Sequence, residues 1–371
     1  MFQVRALQTF VDAPLNLISG IGDMLLATVG SRLMLYTTTR AGGGLLSFEI
    51  GAGGMLLTSQ GQIAARGTLS APPTLDLYQL GATQHLIYSG LEDSTLVSFR
   101  LNADGTLRGS SRPAGGPAGI ISAQALVTSG NQTLLYAATT GSGLITTYSV
   151  SATNGVMTRI GTLQLGPDLA GINISGMAVF GIGSTQFIAV TSQSADRVDI
   201  LRLAANGLPT VAGSIGASDG LGISAPSAVR FCEVHGSAYL AVASGSSSSI
   251  TLLTLSSRGT MTVADQIIDT LDTRFRAVVT LETITINGRS FLVAGGGDGG
   301  LHVFEILPGG VSSSPPPCCS RTGWHCKTSQ RWPCSQGRPA SGSTWPAKAQ
   351  ASPGSMSRPA RFRPADGDGR G

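Results

Sequence analysis

The segment Thr95-Leu-Val-Ser-Phe-Arg-Leu101 sets a pattern that returns along most of this chain. Apolar and polar residues alternate in it with a period of two, so Phe99 and Leu101 fall on one face of a β-strand and Arg100 falls on the other. The strand leads into Asp104-Gly105, a dipeptide that tolerates the positive φ angles of a tight hairpin. The segment therefore predicts a half-buried strand with an antiparallel neighbour directly after it.

The same pattern occurs six times, and we call the central apolar residue of each copy its anchor. Successive anchors are 51, 49, 53, 52 and 51 residues apart. A glycine follows each anchor by six or seven residues, another precedes it by 16 to 18, and a loop rich in Gly or Ser lies between them. Three turns in each period separate four strands. The anchors are Phe48, Phe99, Tyr148, Leu201, Leu253 and Phe304.

A repeated four-stranded unit of about 50 residues is the sequence signature of a β-propeller blade. We therefore predict an all-β fold, a β-propeller of four-stranded antiparallel blades over residues 1–310, with six recognisable repeats of about 51 residues. The pattern stops after Gly310, so the sixth copy is expected to lack its fourth strand. Residues 2–10 look like an outer strand and are expected to complete the last blade and close the ring. We expect seven blades in the complete protein, because one more period would place a seventh anchor near residue 355.

Residues 311–371 differ from the rest of the chain in composition and show no alternation. They contain all three Trp, both Lys and four of the five Cys residues, among many Pro, Gly, Ser and Arg residues. We interpret this tail as a coding strand read out of frame in place of a seventh blade. The alternative is a genuine disordered basic tail, which the same composition allows. Its cysteines contain no C-x2-C pair, so no zinc site is predicted.

The charge of the chain divides at the same point. Residues 1–310 hold 15 Arg, no Lys and 18 acidic residues, a net charge of −3, whereas residues 311–371 carry +7. Nucleic-acid-binding domains normally carry basic surface on their folded part, so we expect no nucleic-acid partner. No stretch of 18 apolar residues predicts a membrane-spanning helix. We also predict no metal and no cofactor, and we expect a monomer.

Two polar residues stand out within the repeat and are candidate ligand-binding residues. Asp199 and His302 both lie two residues before an anchor. The other copies have Leu46, Val97, Thr146 and Thr251 there. Polar side chains at equivalent strand positions could converge on one surface of a propeller, although polar residues with satisfied hydrogen bonds at strand ends are the other interpretation. No catalytic residues are predicted, because G-x-S-x-G is absent and the histidines of residues 1–310 lie in different copies.

One segment resembles the blade pattern of lactonase-type seven-bladed propellers, namely Leu96-Val-Ser-Phe-Arg-Leu-Asn-Ala-Asp-Gly-Thr-Leu107. Similar segments begin at Ile145 and Leu301. Members of that family with lactonase activity carry histidine-rich stretches such as G-P-R-H beside a blade strand. Nothing in this chain matches those stretches, so the resemblance transfers no catalytic residue. The repeat also resembles propeller regions of secreted proteobacterial proteins with calcium-binding repeats. That resemblance implies an extracellular or cell-surface location, with the cytoplasm as the alternative.

These observations favour a non-enzymatic binding or scaffold module whose partner is an unknown protein or small molecule. The alternative is a lactonase-like hydrolase or isomerase that acts on a small lactone at the central channel. A convergent cluster of His, Arg and acidic side chains at one mouth of the channel would favour the enzyme, and a channel lined by Gly, Ser and apolar residues would favour binding. A third possibility is a remnant without present function, if the tail is out of frame.

Overall fold

The computed structural model describes residues 21–39, 44–51, 54–62, 74–90, 96–129, 132–166, 172–273, 275–297 and 301–313. These residues form six four-stranded antiparallel sheets, each made of four strands consecutive in sequence. Within this part of the chain, no helix is long and apolar enough to cross a membrane.

The strands are numbered in chain order and grouped by blade. Blade 1 contains β1 Ile21–Val29, β2 Arg32–Thr39, β3 Gly44–Gly51 and β4 Gly54–Gln62. Blade 2 contains β5 Leu75–Leu80, β6 Thr83–Tyr88, β7 Val97–Leu101 and β8 Leu107–Ser111. Blade 3 contains β9 Ile121–Ser129, β10 Gln132–Thr139, β11 Leu144–Val150 and β12 Met157–Gln164. Blade 4 contains β13 Ile174–Ile182, β14 Thr185–Ser192, β15 Arg197–Leu203 and β16 Pro209–Gly216, followed by one 3-10 turn, Ala217–Asp219. Blade 5 contains β17 Pro226–Val234, β18 Ser237–Ser244, β19 Ser249–Leu255 and β20 Met261–Ile268. Blade 6 contains β21 Thr280–Ile286, β22 Arg289–Gly295, β23 Leu301–Leu307 and β24 Gly310–Ser313.

The sheets are the blades of a β-propeller. The first strands of successive blades contact one another, so they line the centre of the ring, and the fourth strands lie at its rim. All six predicted anchors fall on third strands, in register with Leu or Ile on the second strand. The all-β propeller fold and the six repeats are confirmed. A seventh blade stays a prediction.

The predicted hairpin glycines have the backbone geometry that their spacing indicates. Asn287 and Gly288 both have positive φ, 52° and 74°, as a two-residue hairpin turn requires. Gly207, with φ of 79°, also packs against the preceding blade, because a Cβ there would lie 2.1 Å from Leu134 Cδ1. The hydroxyl of Tyr136 donates to the carbonyl of Gly207 at 2.6 Å. The glycine after the anchor therefore serves both the turn and the joint between blades 3 and 4.

Five apolar cores join the described blades in sequence, from the pair of blades 1 and 2 to the pair of blades 5 and 6. The face of blade 6 that points away from blade 5 is less covered. Leu301 on this face is 58% exposed, whereas the equivalent Ile250 of blade 5 is fully buried. Residues two to ten, and everything after Ser313, lie outside the described residues, so their predicted roles are not tested.

One expectation about blade 6 is wrong. We expected its fourth strand to be missing, but Gly310–Ser313 pairs antiparallel with β23. The segment is only four residues long and begins at Gly310, the last residue of the sequence pattern. A strand this short shows no alternation that the sequence alone could reveal.

Candidate ligand site in the central channel

Asp199 lies in the core between blades 3 and 4, on the same face of β15 as Leu201. Its Oδ1 accepts hydrogen bonds from Arg197 Nε at 2.9 Å and from Ser214 Oγ at 2.6 Å. Arg197 also donates to the carbonyl of Leu165 in blade 3, at 3.0 Å. The carboxylate is fully buried and its Oδ2 has no hydrogen-bond partner. Asp199 therefore holds an arginine across a blade joint and faces no open surface.

His302 lies in a different core, between blades 5 and 6. Its ring is 4.4 Å from that of Phe304, and its Nε2 is buried without a hydrogen-bond partner. Burial lowers the pKa of His302, and the nearby charge of Asp269 opposes this shift only in part. The imidazole is therefore neutral at pH 7.

The structure does not bring the two predicted residues together. Asp199 and His302 sit in separate cores with the core between blades 4 and 5 lying between them. They share no contact residue among those described. A ligand-binding role for either one stays a prediction.

A cluster of polar side chains does converge in the central channel, from the first strands of five blades. The cluster, here called the channel site, consists of Asp23, Asp76, Gln124, Arg230 and Glu282. Register places Asp76, Arg230 and Glu282 at one level of the ring. In each blade the anchor pairs with a residue of the second strand, and that residue pairs with one on the first strand. Each of the three polar residues lies one position before that first-strand residue. Antiparallel pairing thus aligns side chains from blades 2, 5 and 6 at the same height of the ring.

Arg230 and Glu282 form an ion pair between blades 5 and 6. Arg230 donates to Glu282 Oε1 from Nη2 at 2.7 Å and from Nε at 3.2 Å, and its Nη1 donates to the carbonyl of Val229 at 3.0 Å. The carboxylate of Glu282 supports the guanidinium charge, and the pKa of Arg230 is raised although its burial works against this. This pair leaves the other acids of the channel site without a dedicated cation.

Asp23 joins blade 1 to blade 2 through its carboxylate. Oδ2 accepts the backbone N–H of Leu75 at 2.8 Å, and Oδ1 accepts that of Met24 at 2.9 Å. Burial raises the pKa of Asp23 to about 6, while the two backbone donors and Arg230 act in the opposite direction. Asp23 is therefore mostly ionised at pH 7.

Asp76 is the least acidic carboxyl of the channel site. Burial, followed by the charge of Asp23, raises the pKa of Asp76 to about 8. Gln124 of blade 3 lies beside it and favours its ionised form. Yet neither amide atom of Gln124 meets the geometry of a hydrogen bond to another group, and the side chain is only 5% exposed. At pH 7 the channel site thus holds, beside the Arg230–Glu282 ion pair, one protonated carboxyl (Asp76), one carboxylate (Asp23) and the buried amide of Gln124.

A second polar pocket lies on the surface, where hairpins of blades 1 and 2 meet. It encloses about 630 Å³ and includes the exposed Arg100 and Arg108 together with Gln84 and Asn102. Its lining contains no acid. This pocket therefore differs in the sign of its charge from the channel site, where acids outnumber bases.

Sequence reasoning missed every residue of the channel site. One signal was available, since Asp76, Arg230 and Glu282 precede their anchors by 23, 23 and 22 residues. Among the described residues, no group of three His, Cys, Asp or Glu side chains has the arrangement of a metal site.

The fold and its channel place the chain among β-propellers, and comparison with solved structures agrees. A provisionally assigned 6-phosphogluconolactonase from Bacteroides uniformis is 15% identical, with a TM-score of 0.56 over 77% of this chain and 84% of its own. A protein from Lactobacillus plantarum is 19% identical, with a TM-score of 0.53 over 76% and 80%. BBS1N, solved in complex with ARL6DN, is 14% identical, with a TM-score of 0.53 over 82% and 84%. At these identities the likeness concerns the fold alone, which includes lactonase-like propellers as the sequence resemblance implied.

No family model matches the chain, and no curated protein matches it. The function is therefore argued from the channel site.

Proposed function

We propose that this chain is a binding module whose central channel holds one small polar molecule at the channel site. The observation that carries the proposal is Gln124, whose side chain is 5% exposed and whose amide oxygen has no hydrogen-bond partner, while the amide lies beside Asp76 and favours its ionised form. An unsatisfied buried polar group costs about 1–3 kcal/mol. A ligand that hydrogen-bonds to this amide would recover that free energy.

The composition of the site fits a small ligand better than a protein partner. Its five side chains come from five blades and meet inside the ring. Ligand sites in proteins are concave and combine a few convergent polar groups with shifted pKa values. A protein partner at another surface, an extracellular location and the monomeric state stay predictions.

Ligand titration of the purified chain tests the proposal. The binding of small polar compounds would be screened by saturation-transfer NMR against wild type and the Gln124→Leu variant, which removes the amide at similar volume. Asp272→Asn, a change in an exposed turn, is the matched control. Binding to wild type and control that Gln124→Leu abolishes is the expected result. Equal binding by Gln124→Leu would refute a site at this position.

Lactone hydrolysis is a second candidate, favoured by the unequal acidity of two neighbouring carboxyls. Asp23, with a pKa of about 6, is available at pH 7 as a base, and Asp76, with a pKa of about 8, as a hydrogen-bond donor. Water would attack the lactone carbonyl carbon while Asp23 takes its proton and Asp76 donates to the carbonyl oxygen. The ring C–O bond then breaks, and the proton on Asp23 passes to the leaving alkoxide. A solved propeller with a lactonase assignment shares the fold.

Ring opening releases an acid, so a pH-stat assay with glucono-1,5-lactone measures it directly. Asp23→Asn should reduce the rate by about 10²-fold or more if Asp23 is the base. A wild-type rate equal to that of buffer would reject this candidate and leave the binding proposal intact.

A further inference from the structure

We propose that the ligand of the channel site is an organic cation whose ammonium group lies between Asp23, Asp76 and Gln124. This inference rests on the proposed binding function and names its ligand class. Three independent features carry it, namely the balance of charge, the free amide of Gln124 and the lack of a metal arrangement.

The balance of charge is the first feature. The channel site contains three acids and one base, and the base is already paired with Glu282 at 2.7 Å. Asp23 accepts the backbone N–H of Leu75, the residue before Asp76, at 2.8 Å, and the charge of Asp23 raises the pKa of Asp76. With Asp76 ionised, the four charged groups sum to −2, and a ligand that carries one positive charge would reduce this to −1.

The amide of Gln124 is the second feature. Its Oε1 is an unused acceptor next to Asp76, inside a region where the side chain is 5% exposed. An ammonium group has three N–H donors and no acceptor. Two carboxyls and one amide oxygen therefore supply one acceptor for each donor.

The third feature separates an ammonium group from a metal ion. Ca²⁺ takes six to eight oxygen ligands, and among the described residues no three His, Cys, Asp or Glu side chains are arranged to hold a metal ion. The anionic alternative fits the pocket with Arg100 and Arg108 instead.

A cation held beside Asp76 favours the ionised form of its carboxyl, which is mostly protonated in the free protein at pH 7, so cation binding should be coupled to proton release. The groups that act on Asp23 and Asp76 are each other, Arg230, Glu282 and Gln124. A pKa of about 8 for Asp76 means that an ammonium ligand would displace about 0.9 proton at pH 7. If the ligand binds only the ionised form of Asp76, affinity should be roughly 50-fold higher at pH 8 than at pH 6.

Isothermal titration calorimetry with matched probes tests the inference. The probes are n-butylammonium chloride, 1-butanol as the neutral analogue and sodium butyrate as the anionic one, each titrated at pH 7 in phosphate and in MOPS, neither of which contains a primary ammonium group. The two buffers differ in ionisation enthalpy, so the difference in heat counts the protons released. Potassium chloride at equal concentration controls for ionic strength.

The expected result is that butylammonium binds with release of about 0.9 proton and with the stated pH dependence. The variant Asp76→Asn should release only about 0.1 proton at pH 7, from Asp23 with its pKa of about 6, and its affinity should change by only about two-fold between pH 6 and 8. Asp272→Asn should behave as wild type. Circular dichroism would establish that each variant is folded.

Other outcomes overturn the inference in distinguishable ways. Binding of 1-butanol as tight as that of butylammonium, without proton release, would refute a cationic ligand and leave a polar-ligand site in place. Release of about 0.9 proton by Asp76→Asn, as in wild type, would refute a ligand position beside Asp76. If butylammonium does not bind wild type but another polar compound binds in a way that depends on Gln124, only the ligand class is refuted. If no compound binds, the proposed function is refuted as well.

Discussion

Two equivalent positions of the repeat should respond very differently to the same truncation. Ile250 and Leu301 both lie three residues before an anchor, on the third strand of blades 5 and 6. Ile250 is fully buried in the core between blades 5 and 6, whereas Leu301 is 58% exposed. Replacing a buried Ile by Ala costs about 2–5 kcal/mol, because apolar contact is lost and a cavity remains. Replacing an exposed residue usually changes the free energy of unfolding by about 0.5 kcal/mol or less.

We therefore expect Ile250→Ala to lower the free energy of unfolding by about 3 kcal/mol and Leu301→Ala to lower it by less than about 1 kcal/mol. Urea unfolding followed by far-UV circular dichroism measures both, with refolding checked in each case. Circular dichroism is preferred to tryptophan fluorescence because all three Trp residues lie after Ser313.

Equal losses at the two positions would refute this reasoning. They would mean that the outer face of blade 6 is covered in solution as thoroughly as that of blade 5. Such a result would favour a further blade on that face, and an expressed gene corrected to another reading frame after codon 313 would then be the proper object of study.

Three further substitutions test individual features of the fold and the site. Because the pKa of Asp76 in the folded chain is about 8, above the ordinary value of 3.8, its contribution to stability is complete below pH 4 and is lost as the pH rises towards 8. Asp76→Asn should therefore reduce the fall in unfolding free energy between pH 5 and 8 by roughly 3–4 kcal/mol in urea titrations. An unchanged slope would contradict the shift. Tyr136→Phe removes a hydrogen bond of 2.6 Å and should lower the free energy of unfolding by about 1 kcal/mol. Tyr88→Phe removes a buried hydroxyl without a partner and should be neutral or stabilising. Thermal melts that rank the two variants the other way would count against the assigned bonds. Gly207→Ala should destabilise the chain more than Gly183→Ala, because both residues have positive φ but only Gly207 has a close neighbour, Leu134. Equal urea midpoints would show that the Leu134 side chain moves aside at little cost.

The repeat was predictable because the same physical constraint acts six times. A third strand packed between two sheets needs alternating apolar residues, and its hairpin needs a residue that accepts positive φ. Phe99 and Gly105 satisfy these needs in one copy, and the other copies repeat them at nearly constant spacing. The short strand Gly310–Ser313 escaped this reasoning because four residues carry too little alternation.

The candidate site was not predictable in the same way. Asp199 and His302 attracted notice because they interrupt the strongest strand of the repeat, yet that strand lies within the sheet and its side chains enter the cores between blades. Channel-facing side chains come from first strands, where alternation is weaker. Finding Asp76 required knowledge of which strand is innermost and of how five blades align, and this depends on tertiary contacts.

The fold itself does not require charge at the level of Asp76, and this argues for a function there. Register places Leu25, Ala125 and Ala178 at the same level in blades 1, 3 and 4. A propeller ring therefore accepts apolar side chains at this height, and they would avoid the cost of burying carboxyls close together. Residues that oppose stability persist where they serve binding or chemistry. Replacing Asp76 by Leu, the residue of blade 1, should accordingly stabilise the chain above pH 7 while abolishing ligand binding, and a variant that loses stability above pH 7 would assign Asp76 a structural role instead.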